Sequence, residues 1–209
     1  VTKLYPILDT AVLSKRRLSL QIAAAALLGA GAKILQIRHK QHWSPEMLDD
    51  ARAIVELCRS HGAQFVVNDR ADFALLLHSG LHVGQDDLTP DDARSVIGPD
   101  RILGFSTHNG AQLAAAANEP VDYVALGPIF PTGNKDNPDP VVGLANLKAW
   151  RGLAPKPLVA IGGITRTNAL QVLDAGADSV AVIGDLFPDD CTNSALQERA
   201  AEWQRLLNL

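Results

Sequence analysis

The chain has 209 residues, 47% of them hydrophobic and only 5% aromatic, enough for one large domain or two small ones around a sizeable core. A formal net charge of −4 excludes a global basic field for nucleic acid or acidic membranes. The only cysteines, Cys58 and Cys191, exclude a disulfide framework and read as reduced, structural residues in helix-like segments of an intracellular chain.

Taken in order, strand-like and helix-like runs alternate from end to end. "KLYPILD" opens the series. The stretch that follows, "KRRLSLQIAAAALLGAGA", has a basic start, an apolar middle and a small-residue end, the outline of a secretory leader. It begins at Lys15, after a strand, Gln21 interrupts it, and its apolar run is too short to span a bilayer. It therefore reads as a buried helix, and the expected compartment is the cytoplasm. The remaining strand-like runs are "KILQIRHK", "AQFVVND", "GLHVGQ", "RILGFST", "DYVALGPIF", "PLVAIGG" and "SVAVIGD". Helical patterns lie at about 17–29, 45–60, 70–78, 90–97, 110–117, 144–151, 166–175 and 194–207. Ser44-Pro45 and Thr89-Pro90 carry a capping hydroxyl followed by proline in the first turn. The irregular stretch "FPTGNKDNPDPVVG", 130–143, is rich in Pro, Gly and Asn and is expected to be a mobile loop.

Eight strand–helix units with no linker predict an α/β fold, a single-domain (β/α)8 TIM barrel over 1–209. A doubly wound open sheet is the alternative, and it lacks its Gly-x-Gly-x-x-Gly turn after the first strand.

In such a barrel the active site lies at the C-terminal ends of the strands. In "QIRHK" the alternation of faces sets Gln36, Arg38 and Lys40 together, and two cations in phase suit an anion. "FVVND" ends at Asn68 and Asp69, and "HVGQDD" at Asp86 and Asp87. Carboxylates on neighbouring strands, beside cations, suit a hard divalent ion with a phosphate completing its shell. The plainer roles are a helix N-cap for Asp69 and a turn for Asp87. "GFSTH" brings Ser106 to the mouth, with His108 near it. The six histidines are scattered, and most of them read as surface or turn residues. Lys135 sits in the 130–143 loop, where it could close over an anion. Gly162, Gly163 and Gly184 end the last two strands and suit a phosphate held by backbone N–H groups, or tight turns. Two anion sites emerge, one richer in charge, suggesting two substrates of which one loses diphosphate.

The motifs "QIRHK", "VVNDRADFAL", "GLHVGQDD", "GFSTH", "ALGPIFPTGNK" and "AIGGIT", in this order from Leu4 to Phe187, resemble the thiamine phosphate synthase family. The resemblance implies a transferase (a thiamine-phosphate diphosphorylase) that joins a hydroxymethylpyrimidine diphosphate to a hydroxyethylthiazole phosphate. It implies a pyrimidine-diphosphate site of Gln36, Ile37, Arg38, His39, Lys40, Asn68, Ser106 and Lys135. Of these, Arg38, Lys40, Ser106 and Lys135 are the implied catalytic set. Asp69 and Asp87 become ligands of Mg2+. Thr132, Gly133, Asn134, Gly163, Ile183 and Gly184 become the thiazole-phosphate site. The implied partners are two small phosphorylated heterocycles, with no nucleic acid, no membrane, and a homo-oligomer left open. The chain departs from the family at Asn134, often a second Thr or Ser, and at Gly184, often Ser. The competing expectations are a thiazole tautomerase, which would carry a His where this chain has Pro128, and a non-catalytic sensor of thiamine precursors.

Overall fold

The structure, a computed structural model, describes residues 2–133 and 139–208. Eight strands form the barrel wall: β1 (Leu4–Asp9), β2 (Ile34–Arg38), β3 (Gln64–Asn68), β4 (Gly80–Val83), β5 (Leu103–Thr107), β6 (Tyr123–Leu126), β7 (Leu158–Ile161) and β8 (Ser179–Val182). All pair in parallel and in chain order, and β8 closes on β1 with Leu4 opposite Val180. The helices are α1 (Thr10–Lys15), α2 (Leu20–Gly29), α3 (Pro45–Ser60), α4 (Ala71–Leu76), α5 (Pro90–Ile97), α6 (Gly110–Ala115), α7 (Gly143–Trp150), α8 (Ala169–Asp174) and α9 (Asn193–Leu207). This is the expected (β/α)8 barrel.

Alternation along the strands divides the core in two. Leu35, Ile37, Val67, Leu81, Val83, Leu103 and Val180 point outward and pack under the helices. Tyr5, Ile7, Ile34, Val66, Tyr123, Ala125, Val159 and Ala181 point inward and fill the barrel. Each fully buried Leu or Ile contributes roughly 1.5–3 kcal/mol, so the outer layer dominates the stability. The inner layer is small and partly polar, which is what leaves room for a site above it.

The proline-first helices form as expected. Ser44 Oγ accepts from Met47 N at 3.3 Å, and Thr89 Oγ1 accepts from Asp92 N at 3.2 Å. The expected helix at 17–29 is present as α2, starting at Leu20, and an unexpected helix, α1, precedes it. Asp9, read as a strand end, also caps α1: its Oδ1 accepts from Ala11 N and Val12 N, both at 3.0 Å. The chain then breaks at Arg17, whose φ is +53°, and restarts after Ser19. Cys58 is buried in α3. Cys191 lies before α9 rather than in a helix, with its Sγ 3.1 Å from Pro188 O. Among the described residues no helix is long and apolar enough to cross a membrane.

Candidate active site

The C-terminal ends of the strands surround a cavity of about 740 Å³. Gln36, Arg38, Lys40, Asn68, Asp69, Asp87, Ser106, Thr132, Gly133, Gly163, Ile183 and Gly184 line it, and so do Asp86 and His108. Two residues from the implied set do not. Ile37 points outward into the helix layer, because it alternates with Gln36. His39 turns aside: its Nδ1 lies 2.8 Å from Thr10 Oγ1, and its ring meets Trp43 edge-on at 5.8 Å. Asn134 and Lys135 lie outside the described residues.

One side of the mouth is built from charged side chains. Arg38 is ion-paired with Asp9, which is itself buried, so the guanidinium is aimed by the strand next door. One such pair leaves the other guanidinium N–H groups available to a ligand. Lys40, which is half exposed, pairs with Asp69. Asp69 has a left-handed backbone, φ +65°, and its N–H donates to His82 O at 2.8 Å. Asp and Asn enter this region more readily than other residues with a Cβ, and a residue held there invites a functional explanation. The helix-cap role expected as the plainer alternative does not apply: Arg70 occupies the cap position of α4, and no side chain caps it. The Asp69 carboxylate faces Lys40 and Asp87 instead. Burial raises its pKa, Lys40 lowers it in part, and Asp87 raises it further. Asp87 does close a turn, since its Oδ2 accepts from Gly84 N at 2.7 Å. That leaves one oxygen free of the turn.

The opposite side is built from backbone. Gly163 has φ +65°, and a Cβ there would sit 2.6 Å from Pro131 O and 2.7 Å from Phe130 Cβ. Gly162, φ +98°, is as tightly held, with a Cβ 2.5 Å from Pro128 Cα. Among the described residues, no hydrogen bond uses the N–H of Gly163 or of Gly184. The segment after β8 is anchored from α9: Arg199 Nη1 and Trp203 Nε1 donate to Asp185 O at 2.9 and 3.3 Å. Asp185 in turn accepts from Arg166 Nε at 2.9 Å, and Arg166 pairs with Glu202. At the loop end, His108 Nδ1 lies 2.7 Å from Gly127 O and 3.5 Å from Asp139 Oδ2.

Residues 4–186 match the family model described as thiamine monophosphate synthase. The chain belongs to that family. It is 50% identical over 188 residues to the thiamine-phosphate synthase of Koribacter versatilis, covering 88% of this chain and 85% of that protein. It is 40% identical over 200 residues to the thiamine-phosphate synthase of Chloroflexus aurantiacus, covering 95% and 91%. The solved thiamine phosphate pyrophosphorylase from Pyrococcus furiosus superposes with a TM-score of 0.84 at 29% identity, covering 99% and 95%. This member of the family is accordingly a transferase of thiamine biosynthesis.

Reading the histidines by residue type misses one that the fold makes central. His82 is not a surface or turn residue but lies buried inside the barrel. Its Nδ1 is 2.9 Å from Tyr123 Oη and its Nε2 is 2.9 Å from Ser106 Oγ. Burial lowers its pKa to about 4, with Asp87 opposing, so the imidazole is neutral near pH 7. Strand phase could have found it: with Leu81 and Val83 facing outward, His82 must face inward. Asp9 was missed for the opposite reason, since nothing in "ILD" marks a partner for Arg38.

The donor set at the charged side bears on a divalent ion. Among the described residues no three or more His, Cys, Asp or Glu side chains gather as a metal cage. Asp69 and Asp87 give two hard oxygen donors that burden each other when both are ionised. Mg2+ binds in this manner, through one or two carboxylates with waters and substrate phosphate filling its shell. The residues present fit that ion.

Proposed function

We propose that this chain joins 4-amino-2-methyl-5-hydroxymethylpyrimidine diphosphate to hydroxyethylthiazole phosphate, giving thiamine phosphate and diphosphate. The observation that carries this reading is the continuity of one cavity from the Arg38–Lys40–Asp69–Asp87 side to the Gly163–Gly184 side. A ligand with a diphosphate suits the first side and a monoester the second, with the reacting atoms between them.

Arg38 and Lys40 would hold the diphosphate as its charge grows on leaving, and Ser106 would donate a hydrogen bond to it. Gln36 and Asn68 would orient the pyrimidine. Asp69 and Asp87 would hold Mg2+, which supplies charge neutralisation to the departing diphosphate when bound. The N–H groups of Gly163 and Gly184 would seat the thiazole phosphate, with Thr132, Gly133 and Ile183 beside it. Lys135 and Asn134 keep the roles that the resemblance implies.

The bond that breaks joins the pyrimidine methylene carbon to the diphosphate oxygen, and its electron pair leaves with diphosphate. The electron-rich aminopyrimidine stabilises the cation left behind. The thiazole nitrogen then forms the new C–N bond with its own lone pair. No proton is removed from the nucleophile, so the site needs no general base. Ser106 does meet His82, but the other ring nitrogen of His82 meets Tyr123 rather than a carboxylate, so the pair is not a Ser–His–Asp triad. The same reading assigns small-molecule partners and a cytoplasmic place of action, in keeping with free cysteines and a net charge of −4.

The test mixes both substrates and Mg2+ with the protein and follows diphosphate release and the mass of thiamine phosphate. Formation of both products, lost with EDTA and restored by added Mg2+, is expected. A folded protein that leaves both substrates intact overturns the reading, and a thiazole-tautomer assay then addresses the competing one.

A further inference from the structure

Along the floor of the cavity runs a hydrogen-bonded chain whose middle members, Tyr5, Tyr123 and His82, have no role in the proposed chemistry. Gln36 Nε2 donates to Tyr5 Oη at 3.1 Å. The Tyr5 and Tyr123 hydroxyls lie 2.6 Å apart. His82 continues the chain from Tyr123 to Ser106, at 2.9 Å on each side. It thus passes from β2 through β1, β6 and β4 to β5. Tyr5 and Tyr123 are each 1% exposed and Gln36 3%, so water does not compete for these links.

The wall is shaped to permit it. Gly104, two residues before Ser106 on β5, lies where a Cβ would be 2.0 Å from Tyr123 Cζ and 2.5 Å from His82 Nδ1. The strand omits a side chain at the point where phenol and imidazole meet.

Proton counting gives the chain a direction. Each hydroxyl has one proton, and a neutral imidazole has one N–H. Tyr5 accepts from Gln36, and its own buried proton finds a partner only by donating to Tyr123. Tyr123 then donates to His82 Nδ1. His82 therefore carries its proton on Nε2 and donates to Ser106 Oγ. The Ser106 proton is left to point into the cavity, and Gln36 Oε1 is left to accept. Turning the Gln36 amide over reverses every link, and Ser106 then donates to His82 and offers the cavity only a lone pair. Both ring nitrogens of His82 meet hydroxyl groups and neither meets a carboxylate, so no contact on the ring favours the doubly protonated form that would uncouple the two ends.

We propose that Tyr5, Tyr123 and His82 are positioning residues that lock this proton order, tying an acceptor at Gln36 to a donor at Ser106. The inference deepens the function proposed above and rests on it for the identity of the ligand. The cavity so ordered selects a pyrimidine that presents an amino group to Gln36 and an anion to Ser106. A 4-oxo pyrimidine diphosphate offers a carbonyl at the first point. To bind it, Gln36 must present its NH2, and the reversed chain withdraws the Ser106 donor from the diphosphate.

The first measurement needs no substrate, so it stands apart from the assignment of activity. Ring 15N shifts of histidine-labelled protein, with the His82 signals identified by their loss in His82→Asn, should show the Nε2–H tautomer at pH 7. The Nδ1–H tautomer would overturn the proposal. The second is kinetic. Tyr123→Phe should lower kcat with the amino substrate about 10-fold while KM changes little, the scale of one lost hydrogen bond. In a Ser106→Ala background the same change should cost less than about 2-fold, because the coupled partner is already gone. The preference in kcat/KM for amino over 4-oxo substrate should shrink about 10-fold in Tyr123→Phe. Equal losses in both backgrounds, or an unchanged preference, would make Tyr123 merely structural. Tyr5→Phe breaks the chain one link earlier and takes the same tests if Tyr123→Phe does not fold.

Discussion

The two sides of the barrel mouth handle anions by different means. Along β2, β3 and β4 the work falls to side chains: Arg38 braced by Asp9, Lys40 against Asp69, and Asp87 beside it. After β7 it falls to backbone at Gly162 and Gly163, held against the loop after β6, and after β8 to a turn anchored from α9. A side-chain site can lose its function while keeping its shape. A backbone site loses both together, because the atoms that bind are the atoms that fold. Substitutions should therefore separate activity from stability on the first side and not on the second.

The largest effect should come from Asp69→Asn. Asparagine tolerates the left-handed backbone that Asp69 occupies, so the turn survives. The change removes a buried carboxylate that Asp87 opposes and leaves Lys40, half exposed, to water. Turnover should fall by about 10²–10³ with the melting temperature unchanged or raised, since transition-state charge stabilisation is lost without a packing defect. Parallel steady-state kinetics and thermal melts check this. Loss of stability together with activity would erase the distinction between the two sides.

Gly163→Ala tests the other side. Its left-handed φ and the close approach of Pro131 O leave no place for a methyl group. Backbone strain and overpacking together should cost about 2–4 kcal/mol of stability. KM for the thiazole phosphate should rise as the N–H moves. Urea denaturation and substrate titration should change together, unlike the Asp69 result.

Between the two sides sits His82, and its effect is on pH dependence. Its folded pKa, about 4, lies below the ordinary histidine value of 6.5. Between those values the unfolded chain binds the proton and the folded chain does not, so stability falls as pH drops from 6.5 toward 4 and levels off below. The loss at pH 5 relative to pH 8 should be on the order of 2 kcal/mol from this residue. Denaturation in EDTA at the two pH values, with His82→Asn as the comparison, isolates it. A slope identical in the variant would assign the effect to the carboxylates instead.

Much of this was legible in the chain itself, and the parts that were not share a cause. The alternation in "ILQIR" places Gln36 and Arg38 inward and Ile37 outward from phase alone, and phase applied to "GLHV" places His82 inward too. The helix α1 was hidden because Asp9 serves at once as strand end, helix cap and partner of Arg38, and sequence shows only one residue. The contact of Tyr5 with Tyr123 depends on how the closed barrel brings β1 and β6 face to face across its interior. No local pattern carries that. The kinship of Asp69 and Asp87 was readable because β3 and β4 are neighbours in both chain and sheet.

The smallest expected effect separates two glycines that look alike in sequence. Gly163 needs its left-handed φ, whereas Gly184 opens the 3-10 turn 184–186 and is not among the residues with positive φ. Any residue adopts that backbone, and its N–H remains whatever the side chain. The turn is also fixed from outside, through Arg199, Trp203 and the Asp185 carbonyl, rather than by the glycine. Gly184→Ser should therefore change stability by no more than about 0.5 kcal/mol, since the half-buried residue faces the cavity and no left-handed backbone is strained. KM for the thiazole phosphate should stay level or fall, since the new hydroxyl adds a donor beside the backbone N–H. If serine here raised KM as alanine does at position 163, the glycine would be required for space that the ligand itself occupies, and the backbone side of the mouth would be tighter than its φ angles imply.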